Sequence, residues 1–321
     1  MNKILTAYNY ELNKFINDKL PNENIYKPIS YIFNLGGKKI RPFFLLYSFK
    51  IFGGKGKKIN QVALAIESLH NFSLIHDDVM DKAEKRRGKL TVQKKWNENS
   101  AILSGDALLI ICFKILNSLV LDKKKELVNE FINSSLRICE GQQIDLEMEN
   151  KLSISIDEYY NMIKLKTAAL FEFCFKMGCY LAGGNLTNQN KMSKIGLKIG
   201  LLFQIQDDFL DFFGSRKVGK KIGQDVLENK KTYLFCEFIT YAKPKEKKEF
   251  ISKYNCKKMD SEKKIKYVAN CFKSLDIKNK TLLKIEKIKN EIIGLISELD
   301  ISEINKKKFT KYILELSKRI N

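Results

Sequence analysis

The chain has 321 residues and a formal net charge of +21, because 58 Lys and Arg stand against only 37 Asp and Glu. A positive excess of this size attracts polyanions and is typical of proteins that bind nucleic acids or membrane surfaces. Here it consists of 52 lysines and only six arginines, spread along the chain without the interleaved aromatic residues of a base-stacking surface, so we expect no nucleic-acid partner.

Domain organisation and compartment follow from the spacing of special residues. The chain contains only four prolines, and no Pro/Gly/Ser-rich stretch divides it. Long proline-free segments favour long helices, so we predict one α-helical domain over residues 1–321. The N-terminal segment lacks the apolar run of a signal peptide, and no segment is predicted to span a membrane. The seven cysteines are odd in number and form no CxxC pair, which indicates reduced thiols and a cytoplasmic protein.

Helical periodicity becomes clear at 61–81, where Val62, Ile66 and Leu69 lie on one apolar side. The polar segment 82–91, with Gly88 as a turn signal, is predicted to be a loop directly after this helix. No stretch keeps the period of a strand for long, so the fold class is predicted to be all-α. Further helices are predicted at 99–119, 125–148, 156–182, 189–213, 228–242, 261–274, 279–299 and 301–319.

An acidic triplet of the form Asp-Asp-x-x-Asp occurs twice, each time within an apolar helical pattern. Its members are Asp77, Asp78 and Asp81 in the first copy and Asp207, Asp208 and Asp211 in the second. Residues four apart share one face of a helix, and two carboxylates about 6 Å apart repel by roughly 3 kcal/mol at an effective dielectric near 20. Magnesium is typically held by one or two carboxylates together with substrate phosphates. The pair of triplets therefore predicts a metal-bridged diphosphate, whereas a single triplet could be a solvated helix end.

Two further features accompany the first triplet. Arginine is scarce in this chain, yet Arg41, Arg86 and Arg87 fall in short motifs, and a guanidinium binds phosphate with paired hydrogen bonds. At 1.5 Å of rise per residue, Phe72 and Ser73 lie about 6–8 Å below Asp77, where they would meet whatever hangs from a bound diphosphate. Plain core packing is the alternative for Phe72, because aromatic residues on buried helices usually pack.

Seven segments resemble, in order and spacing, the motifs of the trans-isoprenyl diphosphate synthases, which join prenyl units head to tail. They are GGKKIRP (36–42), LHNFSLIHDDVMDKAEKRRGK (69–89), SGDALL (104–109), CEGQQIDLE (139–147), IKLKTAALF (163–171), FQIQDDFLDFFG (203–214) and GKKIGQDVLENKKTYL (219–234). The resemblance covers nearly the whole chain. It implies an all-helical isoprenoid synthase-type bundle around a deep central cavity, a homodimer, and two aspartate helices facing each other across the cavity mouth.

The resemblance also implies roles for individual residues. Asp77 and Asp81 would bind two magnesium ions and Asp207 a third, with Asp78, Asp208 and Asp211 supporting them. The residues expected to contact the allylic diphosphate are Arg86, Lys166, Thr167, Gln204, Lys220 and Lys230. The residues expected to bind isopentenyl diphosphate are Lys38, Arg41, His70 and Arg87. Lys221 competes with Lys220 for its role, and Lys231 competes with Lys230.

The implied reaction needs no protein nucleophile. The allylic diphosphate ionises to a carbocation, the double bond of isopentenyl diphosphate attacks it, and a proton is lost to the departing diphosphate. Three magnesium ions and the cationic side chains would stabilise the leaving group. Thr167, the Lys166 carbonyl and Gln204 would stabilise the cation.

Product length depends on the residues before the first triplet. An aromatic residue at the fifth position, Phe72, with a small hydroxyl residue at the fourth, Ser73, resembles short-chain enzymes of the geranylgeranyl type. We therefore expect a C20 product, with C15 second and long-chain polyprenyl synthesis for quinone side chains third.

Three other classes are weighed against this one. A terpene cyclase shares the first triplet but carries an Asn/Ser/Glu pattern at its second metal site and lacks GGKKIR. A non-catalytic partner subunit of a synthase commonly loses aspartates, and both triplets are complete here. A nucleic-acid binder would bind without magnesium and with steep salt dependence.

Overall fold

The computed structural model of the protein describes residues 2–21, 23–214, 223–256 and 258–317. Within them the chain is almost entirely helical, which agrees with the all-α prediction. The sixteen α-helices of the described residues are α1 Asn2–Lys14, α2 Tyr26–Asn34, α3 Ile40–Ile51, α4 Ile59–Met80, α5 Val92–Lys95, α6 Glu98–Asn117, α7 Lys124–Glu149, α8 Ile156–Ile163, α9 Ala169–Leu181, α10 Leu186–Phe213, α11 Gln224–Leu227, α12 Tyr233–Tyr241, α13 Pro244–Tyr254, α14 Ser261–Ser274, α15 Ile277–Ser297 and α16 Glu303–Ser317. Two short π-helical turns, Phe15–Lys19 and Lys164–Ala168, and two short strands, β1 Lys85–Arg86 and β2 Lys89–Leu90, complete the described structure.

The chain divides into two compact units. The first comprises Met1–Leu136 and Leu170–Gly196, and the second comprises Arg137–Ala169 and Leu197–Asn321. The first triplet lies in the first unit and the second triplet in the second. The single domain over residues 1–321 stays a prediction.

In the first unit, α4 is the central helix, with α1, α3 and α6 packed against it. Val62, Ala63 and Ile66 are fully buried, which fits the apolar side predicted for this segment. Gly105 of α6 lies so close to the ring of His76 on α4 that a Cβ at this position would displace the ring. This close approach is the physical reason for a glycine in the SGDALL segment.

In the second unit, an aromatic cluster joins α12, α13 and α14. The ring centroid of Phe250 lies 4.2 Å from that of Phe238, 5.5 Å from that of Phe235 and 5.3 Å from that of Tyr254. These rings are buried, and aromatic pairs at such distances stabilise a core beyond their buried area alone. The cluster fixes the start of α12, which follows a loop that carries predicted site residues.

The predicted helices do not include α1, α2, α3 or α13, and three of the predicted elements differ from the structure. The helix predicted at 156–182 contains the π-helical turn Lys164–Ala168. The helix predicted at 228–242 is wrong in its first turn, because Thr232 caps α12 by accepting a hydrogen bond from the Phe235 N–H. The predicted loop 82–91 contains a hairpin, in which Arg86 pairs with Lys89.

One helix of the described residues, α6, is long and apolar enough to cross a membrane by length and composition alone, and a third of its apolar window is buried. The core helix of a globular protein passes the same test. The absence of a transmembrane segment stays a prediction.

Candidate active site

The three acids of the first triplet occupy different environments at the C-terminal end of α4. Asp78 is buried, with 2 % of its side chain exposed, whereas Asp77 is half-buried and Asp81 is exposed. Arg86 holds Asp78 with two nitrogens, through contacts of 2.8 Å from Nε to Oδ2 and 2.8 Å from Nη2 to Oδ1. Asp77 and Asp81 are therefore the two carboxylates of this triplet that solvent can reach.

A two-residue turn places the adjacent arginines. Arg87 and Gly88 connect β1 to β2 with φ angles of +53° and +76°, the left-handed pair that a type I′ turn requires. The turn directs Arg86 to Asp78, while the Arg87 guanidinium lies against Gly37. A Cβ on Gly37 would lie 2.8 Å from Arg87 Nη2 and displace the guanidinium, and the φ of +138° at Gly37 also favours glycine. The resemblance implies different substrates for the two arginines, and the structure gives them different partners.

Arg41 and His70 form the centre of a basic cluster in the first unit. Arg41 Nη1 lies 3.1 Å from His70 Nε2, and the Arg41 guanidinium lies 4.6 Å from the centroid of the Phe171 ring. Burial, followed by the charges of Arg41 and Arg87, holds the pKa of His70 well below its ordinary value. Because arginine can only donate, neutral His70 accepts through Nε2 and carries its proton on Nδ1. His70 therefore orients Arg41 and adds no charge of its own.

The two lysines of GGKKIRP differ in exposure. Lys38 is exposed, whereas Lys39 is half-buried, and its Nζ donates to Asn9 Oδ1 at 3.3 Å. Lys39 has a φ of +47°, which lets the chain turn into α3 directly before Arg41. The structure thus brings Arg41, His70 and Arg87 together with Lys39.

The second triplet repeats the pattern of the first in the second unit. Asp208 is 4 % exposed, whereas Asp207 is exposed and Asp211 is half-buried. Asp208 Oδ2 accepts hydrogen bonds of 2.7 Å from the Tyr159 hydroxyl and 2.7 Å from the Tyr233 N–H. Burial raises the pKa of Asp208 to about 6. The middle acid is again buried and bonded, and the first acid faces solvent.

A hydrogen-bonded chain leads from the π-helical turn to Asp208. The Thr167 hydroxyl donates to Gln204 Oε1 at 3.0 Å, and Gln204 Nε2 donates to Asp208 Oδ1 at 2.9 Å. Both bonds fix the orientation of the Gln204 amide. Since Thr167 gives its only hydroxyl proton to Gln204, it can present only lone pairs to a ligand.

Lys166 lies in the same π-helical turn. Its Nζ contacts Asp145 Oδ2 at 2.5 Å, and Gly141 of α7 allows the close approach of the two backbones. A Cβ on Gly141 would lie 2.7 Å from the Lys166 Cα. Single π-helical turns occur frequently at functional sites, where they change the direction of a helix face.

The lysines near the start of α12 differ in burial. Lys231 is 6 % exposed and donates hydrogen bonds of 2.8 Å to the Asn229 carbonyl and 2.8 Å to Asn255 Oδ1. Lys230 has 31 % of its side chain exposed. This favours Lys230 over Lys231 for contact with a ligand. Lys220 and its competitor Lys221 lie outside the described residues.

Phe72 and Ser73 both lie on α4 below the first triplet. Phe72 is 8 % exposed, and its ring lies 4.7 Å from that of His76, one turn further along α4. The Ser73 hydroxyl donates to the His70 carbonyl at 2.9 Å. Ser73 shares the face of Asp77 by its i, i+4 spacing, whereas Phe72 shares the face of His76.

Magnesium fits the carboxylates that these elements present. Within the described part of the chain, no three His, Cys, Asp or Glu side chains form a preassembled metal centre. Magnesium typically takes one or two protein carboxylates and completes its shell with water and substrate phosphates. Asp77 with Asp81, and Asp207 with Asp211, offer that kind of incomplete site.

The chain matches known proteins over most of its length. The family model described as polyprenyl synthetase matches residues 22–272. The geranylgeranyl diphosphate synthase of Saccharolobus solfataricus is 36 % identical over 266 residues, which are 81 % of this chain and 80 % of that protein. The geranylgeranyl diphosphate synthase of Sulfolobus acidocaldarius is 33 % identical over 323 residues, which are 99 % of this chain and 97 % of that protein. A crystal structure of a geranylgeranyl pyrophosphate synthase is 36 % identical and has a TM-score of 0.92. The match covers 99 % of this chain and 98 % of that chain.

The chain therefore belongs to the polyprenyl synthetase family. The predicted resemblance, the all-α fold of isoprenyl synthases and the prenyltransferase class of enzyme are confirmed, and the relatives support the short-chain group. The family acts on isopentenyl and allylic diphosphates and generally uses magnesium.

Sequence reasoning missed several residues of these clusters. Tyr159 and Tyr233 bond to Asp208, Asp145 contacts Lys166, and Glu67 lies buried beside the basic cluster. A lone acid within the apolar run of 61–75 is a signal that could have identified Glu67. The tyrosines carry no comparable signal, because their roles depend on packing between segments distant in sequence.

Proposed function

We propose that the protein condenses isopentenyl diphosphate with an allylic diphosphate and releases diphosphate. The observation that carries this proposal is the repeated arrangement of a buried middle aspartate with solvent-accessible outer aspartates, together with a separate basic cluster around Arg41. Two sets of carboxylates suit a metal-bound diphosphate, and the basic cluster suits a second, metal-free one. An enzyme with one diphosphate substrate would need only the first kind of site.

The residues at the allylic diphosphate have separate proposed roles. Asp77, Asp81 and Asp207 would hold magnesium, which when bound draws negative charge from the leaving diphosphate, with three ions per site. Lys166, Lys230, Arg86 and Lys220 neutralise the same diphosphate as its bond to the allylic carbon breaks. The lone pairs of Thr167, the Lys166 carbonyl and Gln204 would stabilise the allylic cation.

The second substrate is held by different groups. Arg41 and Arg87, with Lys38, bind the diphosphate of isopentenyl diphosphate, while neutral His70 keeps the Arg41 guanidinium in place. The double bond of this substrate attacks the allylic cation, and the proton lost afterwards goes to the departing diphosphate. The protein supplies position and electrostatic stabilisation, and no side chain becomes covalently attached.

The product proposed is geranylgeranyl diphosphate, with farnesyl diphosphate as the second candidate. Phe72 is buried below the first triplet, and a bulky ring there is suited to stop a growing chain. Two relatives reported above are named geranylgeranyl diphosphate synthases. Synthesis of longer chains for quinones is a weaker candidate, because it favours small residues at both Phe72 and Ser73. The second candidate class, a non-catalytic partner subunit, is disfavoured by the completeness of both triplets.

The test is a product assay with magnesium, labelled isopentenyl diphosphate and allylic starters of one to three prenyl units. We expect a C20 product, near-complete loss of turnover in D77A and D207A, and longer products from F72A. D122A, which removes an exposed aspartate outside both triplets, serves as the matched control. Full turnover in both motif variants would contradict the mechanism, and an unchanged product length in F72A would contradict the role of Phe72.

We also propose a homodimer located in the cytoplasm. Ile102, Leu103 and Ile110 of α6 are 39 %, 56 % and 67 % exposed, and a helix with such a face is suited to pack against a second copy. All seven cysteines are free thiols, which supports a reducing compartment.

A further inference from the structure

The basic cluster of the first unit contains one acid that the proposed function does not use. Glu67 lies in the middle of α4, one turn before His70, and only 4 % of the residue is exposed. A buried carboxylate is unfavourable unless other charges or hydrogen bonds compensate it. The charges that act on Glu67 are, in order, those of Arg41, Arg87 and Lys39. Glu67 is therefore the anion among three cations.

Three further titratable groups of this cluster are neutral. Burial, followed by the charge of Glu67, raises the pKa of Tyr8 on α1 well above its ordinary value. Burial also raises the pKa of the Cys174 thiol on α9, against the opposing effect of Arg41. His70 is neutral for the reasons given above. Because these three groups are neutral, the main electrostatic interaction of the cluster is between the Glu67 carboxylate and the three cations.

Four polar atoms near Glu67 have no hydrogen-bond partner. Within the described residues, Tyr8 Oη, Arg41 Nε, Ser68 Oγ and Asn71 Oδ1 are buried without a hydrogen bond. Buried polar atoms are normally satisfied by protein, water or ligand. Arg41 Nε can only donate, so what this cluster lacks at Arg41 is an acceptor, which a phosphate oxygen would supply.

We propose that Glu67 is the resident counter-anion of this cluster and takes up a proton when the second diphosphate binds. The inference rests on the proposed function, which assigns Arg41 and Arg87 to isopentenyl diphosphate. Glu67 and the diphosphate are attracted by the same cations, so the arriving ligand removes the compensation that keeps the carboxylate charged in a buried position. Glu67 is thus a positioning residue: it keeps the cations close together in the free enzyme and loses its charge when substrate replaces it.

The direction of the pH effect follows from the same charges. Burial raises the pKa of Glu67 and the three cations oppose that rise, so a bound diphosphate, which offsets the cations, raises it further. Protonation of Glu67 is then coupled to binding, and the wild-type affinity for the ligand increases as the pH falls. A glutamine at this position copies the protonated acid at every pH.

The experiment is calorimetric titration of the full chain with isopentenyl diphosphate in EDTA, which keeps metal ions from the aspartates. Wild type, E67Q and E130Q are compared at pH 6 and pH 8 in buffers of different ionisation enthalpy. E130Q removes one negative charge from the same unit, where Glu130 pairs with Lys176 at 2.7 Å. We expect E67Q to bind about tenfold more tightly than wild type at pH 8, the ratio that one pKa unit of coupling gives. E130Q is expected to match wild type.

Proton uptake separates this role from a merely structural one. Wild type and E130Q are expected to take up protons from the buffer that E67Q does not, and E67D, which keeps a carboxylate, is expected to retain that uptake if E67Q does not fold. Equal or weaker binding by E67Q, or the same proton uptake in E67Q and wild type, would overturn the inference and leave the proposed function standing. Wild type that binds no isopentenyl diphosphate in EDTA would overturn both.

Discussion

Asp207 and Asp208 are neighbours in the chain with opposite environments. Asp208 accepts hydrogen bonds from Tyr159, Tyr233 and Gln204, whereas Asp207 is exposed. Asparagine offers a single oxygen, so D208N turns an amide N–H₂ toward a donor and leaves it unpaired. We expect D208N to lower the free energy of unfolding by about 1–3 kcal/mol, measured by urea denaturation.

D207N is the matched control for this prediction. It replaces an exposed carboxylate, so its effect on stability should stay within about 0.5 kcal/mol, while most prenyltransferase activity is lost. The prediction concerns this contrast between stability and turnover. If D207N and D208N shifted the urea midpoint equally, burial would not determine how much each aspartate contributes to stability.

The shifted pKa of Lys231 predicts how the stability of the protein changes with pH. Burial, followed by the charge of Lys264, lowers the pKa of Lys231 to about 8 from an ordinary value of 10.5. Between these two values the unfolded chain keeps the proton that the folded state has lost, so the contribution of Lys231 to stability rises with pH. Urea midpoints at pH 7, 8 and 9 should therefore rise for wild type relative to K231M. A constant difference between the two proteins, as expected for the exposed-site control K253M, would contradict this.

At the scale of elements, the π-helical turn depends on a glycine in the facing helix. A Cβ on Gly141 would lie 2.7 Å from the Lys166 Cα and 2.8 Å from the Leu165 carbonyl carbon, and backbone atoms cannot move aside cheaply. We expect G141A to separate α7 from the turn, lowering both the urea midpoint and turnover, because Lys166 and Thr167 then shift.

Gly294 of α15 offers the matched control. A Cβ there meets nothing within 4 Å, so G294A gains helix propensity alone and should stabilise the protein by about 0.5–1 kcal/mol without changing turnover. If G141A and G294A changed stability in the same direction, close backbone approach would not be the reason for Gly141.

The elements also show where sequence reasoning ends. The helix bearing the first triplet was predictable because apolar periodicity and i, i+4 spacing are local properties of the chain. The hairpin after it depends on positive φ at Arg87, which a non-glycine residue adopts only in a particular context. The difference between Lys230 and Lys231 depends on Asn255, which lies 24 residues further along the chain and accepts from Lys231. Periodicity and motifs carry no information of that kind.

At the scale of the whole molecule, the exposed face of α6 predicts self-association. Replacing Leu103, which is 56 % exposed, with glutamate places a charge in the proposed interface, so L103E should have about half the wild-type mass by light scattering. L283E changes a leucine that is 70 % exposed on α15 and serves as the control. A wild-type protein that is already monomeric, or an unchanged mass in L103E, would contradict the proposed dimer.

The buried middle aspartates matter for anyone who alters this protein. A library that randomised all three acids of each triplet would contain many destabilised chains, since Asp78 accepts hydrogen bonds from Arg86 and Asp208 from Tyr159. Variation confined to Asp77, Asp81 and Asp207 would instead test the proposed magnesium site at less cost in stability, whereas Asp211 also accepts a hydrogen bond from the Asp225 N–H. In related sequences, replacement of an outer aspartate would then indicate altered metal binding, and replacement of a middle aspartate would indicate a less stable fold.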